Sequence, residues 1–176
     1  MIQAIELILI CLVAQAAVTD LAVRKIPNVL VLSGLLLALV LHLLSGPGWG
    51  PLWQWTAGAV AGFLLFLPLY LARGMAAGDV KLMAMVGAFT GPLAALQIGM
   101  TTCAIGAVMA LLMLLWKGQW RQAWRNLLIL CRPFVWRMAG VPLQPEPLPP
   151  GASVGNMPYG LAIALGTMAF VAWAHR

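Results

Sequence analysis

The sequence predicts an all-α protein, a polytopic membrane helix bundle of about six transmembrane helices. The first reason is composition: the chain is 63% hydrophobic and 8% charged, with a mean hydropathy of +0.98, whereas about a quarter of the residues of a soluble domain are charged. The second is length. At about 20 apolar residues per crossing, 176 residues hold a handful of short spans and leave no room for a separate soluble domain, so residues 1–176 read as a single membrane domain. The third is the placement of the basic residues, which follows once the spans are drawn.

The first apolar run, about 2–19, lacks the basic start of a secretory signal and carries Glu6 instead, so it reads as a retained span. Pro27-Asn28 opens the second, about 28–45; Pro is tolerated in a first helical turn because its missing N–H has no partner there. The connection SGPGWGP is a tight turn, and Trp49, Trp53 and Trp55 beside it form an interfacial aromatic belt. The third run covers about 52–72. Val80 to Trp116 is 37 residues, too long for one crossing, and Gly91-Pro92 divides it into helices at about 79–91 and 92–116. A cytoplasmic loop at about 117–157 follows. Its first part interleaves Arg121, Arg125 and Arg132 with Trp120, Trp124, Leu128 and Val135, the pattern of a helix lying on the membrane surface. Its second part, VPLQPEPLPPG, is an extended linker. The last span is expected at about 158–174.

On this map Arg24 and Lys25 lie in the first connection, Arg73 and Lys81 flank the third, and Lys117, Arg121, Arg125, Arg132 and Arg137 lie in the fifth. Nine of the ten basic residues thus fall in alternate connections, Arg176 being the exception. The positive-inside rule makes those connections cytoplasmic and puts both termini on the periplasmic side. It also explains the net charge of +6 without a nucleic-acid partner. Cys11, Cys103 and Cys131 are odd in number, form no CxxC pair and have no histidine at ligand spacing, so neither a disulfide framework nor a metal site is expected, and no cofactor.

Only four residues are acidic, and two of them, Asp20 and Asp79, sit at the edges of apolar runs. A carboxylate in such a place costs about 2.5–3.5 kcal/mol at a helix centre, which marks it as a functional candidate. On the topology above both face the cytoplasm at similar depth. Paired carboxylates suffice to hydrolyse a peptide bond without metal or covalent nucleophile, one taking a proton from water while the other donates to the carbonyl oxygen. Asp20 at a helix C-terminus meets the negative end of the dipole and Asp79 at a helix start the positive end, which suggests Asp79 as base and Asp20 as acid. His42 and His175 fall near the outer ends of their spans, away from this pair. Around the aspartates each neighbour has two readings. Gly78 allows a close approach beside Asp79 or marks the turn into the helix. Lys81 tunes Asp79 or anchors the topology. Pro27-Asn28 and Asn156-Met157-Pro158 start helices, and their Asn side chains could orient a substrate.

Together these residues resemble the type IV prepilin peptidases, in the short form associated with Flp-type (tight-adherence) pili and the GxGD class of aspartic peptidases. The resemblance runs through Asp20 with Arg24, Lys25, Ile26, Pro27 and Asn28, through Gly78-Asp79-Val80-Lys81-Leu82, and through Pro158-Tyr159-Gly160 with Ala162, Ile163, Ala164 and Gly166. It implies an intramembrane aspartic endopeptidase of the bacterial inner membrane, with Asp20 and Asp79 as its catalytic pair, that removes the basic leader of prepilins at the cytoplasmic face. Other pilus-assembly proteins are candidate partners beside the prepilins and the lipid bilayer. The family's first glycine of GxGD stands as Ala76 here, which removes no catalytic group. Longer members carry a cysteine-bearing cytoplasmic insertion and methylate the new pilin N-terminus; this chain has neither the length nor the cysteines, so cleavage without methylation is expected. Two readings from other classes stand beside this one: a small proton- or ion-coupled transporter in which the aspartates relay protons, and a membrane scaffold in which they only pair with Arg24 or Lys81.

Overall fold

The computed structural model describes residues 2–46, 48–72, 74–118 and 157–175. Residues 119–156, which hold the expected surface helix, the Pro-rich linker, Cys131 and Asn156, lie outside the described residues, as does Arg73.

Six helices and no strand are found among the described residues: α1 Ile2–Val23, α2 Asn28–Leu44, α3 Trp49–Leu71, α4 Ala77–Thr90, α5 Pro92–Lys117 and α6 Tyr159–Ala174. Three are long and apolar enough to cross a bilayer, over Ala4–Val23, Trp49–Leu71 and Pro92–Trp116, and α2 and α6 are shorter apolar helices. The protein is a helical membrane bundle, as its composition predicts. Backbone polar groups in hydrocarbon must be satisfied within the segment, which leaves helices as the economical way for an open chain to span it.

The boundaries have local causes. α1 runs past Asp20 and stops at Arg24, whose backbone turns left-handed (φ 56°) while its N–H closes on the Asp20 carbonyl at 2.9 Å. α3 begins at Trp49, before Pro51, because a first turn needs no donor at that position. α4 ends at Gly91, which takes φ +82° and donates to the Gly87 carbonyl at 2.8 Å, and Pro92 then opens α5.

By packing, the chain divides into one unit formed by residues 1–106 and 158–176 and another formed by 107–157. In the first unit α4 is the central element. Every side chain from Asp79 to Phe89 is buried except Lys81. Its 14 residues make about 21 Å of helix at about 1.5 Å per residue, short of the ~30 Å hydrocarbon layer. Wrapped by protein, α4 does not have to match the thickness of the lipid. The α3–α4 seam is made of small residues: a Cβ on Gly58 would strike the Gly87 carbonyl oxygen, one on Gly62 that of Met83, and one on Gly87 that of Gly58. Backbones approach this closely in membrane bundles because van der Waals contact, rather than hydrophobic expulsion, holds the helices together. On the outside Leu36, Leu43, Val60 and Leu64 are exposed, as lipid-facing side chains are. Of the second unit, residues 107–118 and 157 are described, the former being the C-terminal half of α5 with Gly118.

Polar ties at the two ends of the first unit show that its helices alternate in direction. At one end the His42 imidazole donates to the Ala88 carbonyl oxygen at 3.0 Å and His175 pairs with Glu6. The other end gathers the C-terminus of α1 and the N-termini of α2, α4 and α6, and with them Arg24, Lys25 and Lys81. Asp20 and Asp79 both lie at this basic end.

Candidate active site

Asp79 is the third residue of α4, where a carboxylate meets the N–H groups that a helix start leaves unpaired. Its Oδ2 accepts the backbone N–H of Ala76, the N-cap, at 3.0 Å, the returning half of a capping box. Ala76 itself sits at φ −85° and ψ 156°, extended backbone open to any residue, so the loop does not need a glycine there. The amide of Ala76 is the contributor that residue-type reasoning missed, because it acts through its backbone; an acidic residue three positions into a helix was the available signal.

Asp20 lies in the last turn of α1. Its Oδ2 accepts the backbone N–H of Gly160 at 2.9 Å, across 140 residues of sequence, so the start of α6 is docked on this carboxylate. A side chain there would force a shift, since a Cβ on residue 160 would lie 2.9 Å from Asp20 Oδ2, 3.0 Å from its Cβ and 3.2 Å from its Cγ. Pro158, the N-cap of α6, sets the chain for this approach.

The two aspartates therefore have matching environments. They are 8% and 5% exposed, each has Oδ2 tied by one backbone N–H, and they lie close enough for each to feel the other's charge. In this arrangement Oδ1 of each carboxylate makes no hydrogen bond to a described residue. Tyr159, half-buried at the start of α6, is within electrostatic reach of Asp79 and of Cys103.

The remaining candidates do not join the pair. Gly78 lies one residue before Asp79, but the space of its missing side chain faces Ile26, with Cβ at 3.3 Å. Lys81 turns its ammonium to Asn28, Nζ donating to Oδ1 at 3.1 Å, and so links α4 to α2. Pro27 is the N-cap of α2. Among the described residues no three His, Cys, Asp or Glu side chains gather where they could hold a metal ion.

The type IV leader peptidase family model matches residues 7–111, more than half of the chain. That span includes both aspartates, all of α2, α3 and α4, and most of α1 and α5. No curated protein and no solved structure matches.

Proposed function

The chain belongs to the type IV leader peptidase family, and from that premise we propose that Asp20 and Asp79 are the catalytic pair of an intramembrane aspartic endopeptidase that cleaves the leader of Flp-type prepilins. The observation that carries this reading is the placement of two buried carboxylates at the basic end of the bundle, within reach of one another's charge and each held through Oδ2 by a backbone N–H.

In the mechanism, the ionised member of the pair takes a proton from a water held between the free oxygens, and the resulting hydroxide adds to the scissile carbonyl carbon. The protonated member donates its proton to the carbonyl oxygen, giving a neutral tetrahedral diol. The proton gained by the base then passes to the leaving nitrogen as the C–N bond breaks, while a diol hydroxyl gives its proton to the other carboxylate; a carboxylic acid and an amine leave, and the pair again holds one proton between two carboxyl groups. Fixing Oδ2 with rigid backbone donors keeps the other oxygens oriented before substrate arrives, which is where preorganisation contributes to rate.

The basic end faces the cytoplasm of the bacterial inner membrane by the positive-inside rule, and both termini lie in the periplasm. A prepilin combines a basic leader with an apolar helix. Its helix shares the bilayer with the enzyme while the scissile bond stays at the level of the aspartates, so confinement to the membrane raises the effective concentration. Methylation of the new N-terminus is left to another catalyst. Border placement of the aspartates, with both tied at one end of the bundle, favours hydrolysis over an ion path through the midplane.

The test is cleavage of a co-expressed prepilin in membranes by wild type, Asp20→Asn and Asp79→Asn, each at matched expression. Both variants are expected to lose at least ~100-fold, the typical contribution of a general acid or base. Cleavage by all three at similar rates removes the pair from the chemistry.

A further inference from the structure

Lys81 is the one residue of α4 between Asp79 and Phe89 that leaves the core, and it emerges into a furrow. This furrow, about 420 Å³, runs along α2 from Asn28 to Leu35 and is walled by Val29, Leu32, Phe63 and Ala84. Its lining is apolar apart from one end, where Lys81 and Asn28 form their hydrogen bond. An ammonium group pinned at the rim of an otherwise hydrocarbon-lined groove is matched by a molecule with an anionic head and an apolar tail.

We propose that this furrow binds an anionic phospholipid, its acyl chain along Leu32 and Leu35 and its phosphate on Lys81 Nζ. The seven-residue reach from Asn28 to Leu35 is about 10 Å along the helix axis, enough for the upper part of one chain. The lysine stem lies along the apolar wall and carries its charge to headgroup level, as basic side chains do at membrane interfaces. Because Lys81 comes two residues after Asp79, at about 100° per residue the two side chains point about 200° apart around α4. The furrow thus lies on the opposite face of α4 from the carboxylate pair, which favours a lipid over the substrate's own helix. This inference does not depend on the peptidase reading. It accounts for Lys81 and Asn28, which the carboxylate pair leaves unused.

The experiment is native mass spectrometry of the detergent-purified full chain titrated with dioleoyl-phosphatidylglycerol or dioleoyl-phosphatidylcholine. The first phosphatidylglycerol is expected to be retained about fivefold better, the contribution of one interfacial lysine toward anionic lipid. Lys81→Gln should bring the two lipids to parity, Lys81→Arg should restore the preference, and Leu32→Trp, which fills the furrow from an exposed position, should weaken both. Equal retention by wild type, or a preference that survives Lys81→Gln, overturns the assignment. Displacement by millimolar inorganic phosphate would mean that the site takes free phosphate instead. A Lys81→Gln variant with unchanged lipid retention but a raised KM for prepilin would assign the furrow to the substrate helix and equally refute the lipid.

Discussion

Gly160→Ala places a single methyl group against Asp20 and leaves every ionisable group in the protein intact. The added carbon would sit 2.9 Å from Asp20 Oδ2, while ordinary contact begins at 3.4 Å, so the carboxylate or the start of α6 must retreat by about 0.5 Å. Either movement stretches the 2.9 Å bond from Gly160 N–H. A hydrogen bond to a charged group contributes about 1.5–3 kcal/mol, and a misplacement of about 1 Å at a reacting centre costs ~100-fold. Half that displacement with a weakened donor predicts a fall in kcat of about 10- to 100-fold, with KM little changed because the apolar contacts of the substrate are untouched. The crowded variant should also lose about 1–3 kcal/mol of stability. The assay is prepilin cleavage in proteoliposomes, normalised to folded enzyme by size-exclusion and thermal unfolding. Gly166→Ala is the matched control: it crowds the Thr102 backbone, with N at 3.0 Å and Cα at 3.1 Å, on the same helix. Six residues further on, about 9 Å along α6, it should lower stability while leaving kcat per folded molecule within about twofold. A Gly160→Ala enzyme with wild-type kcat would show that the contact with Asp20 has no part in catalysis.

Two further outcomes follow from the same geometry. Ala76→Gly, which restores the first glycine of the family's motif, should leave cleavage within about twofold and cost about 0.5–1 kcal/mol in thermal unfolding, because the extended backbone at this position gains nothing from glycine while the unfolded chain gains freedom. Neutralising the lysines of a prepilin leader should change the cleavage rate by less than about threefold when membrane insertion is unchanged, since the basic end of the enzyme repels rather than attracts a basic leader; loss of cleavage with insertion intact would assign recognition to the leader's charge.

How much of this could be read from the sequence depended on which interaction set each feature. Helix α2 begins at Asn28 and the α4–α5 break falls at Gly91-Pro92, as the sequence predicts, because proline and glycine act on their own backbone. The end of α1 differs. A charge suggests that a membrane helix stops near Asp20, yet Leu21, Ala22 and Val23 continue it, with Asp20 buried and accepting the amide of Gly160. That contact spans 140 residues and leaves no local trace beyond the glycine itself. Lys81 shows the same limit: its position at the border of an apolar run was legible, its bond to Asn28 was not, because the partner is fixed by how α2 packs on α4.

The carboxylate pair stood out for a reason particular to membrane proteins. In a soluble domain, hydrophobic periodicity separates the buried face of a helix from the wet one. Here lipid and core are both apolar, so that contrast fades, and burial is carried by residue size instead: Gly58, Gly62 and Gly87 line the α3–α4 seam while Val60 and Leu64 on the same helix face outward. Against an apolar background on every side, an acidic residue has no solvated surface to explain it, and each one needs a specific partner. Glu6 has His175 at one end of the bundle, whereas at the other, among the described residues, Asp20 and Asp79 each accept a single backbone amide and feel one another's charge. A chain that keeps two carboxylates buried in this way retains a cost that neutral side chains would avoid, and that cost is the physical argument behind the proposal that they form the catalytic pair.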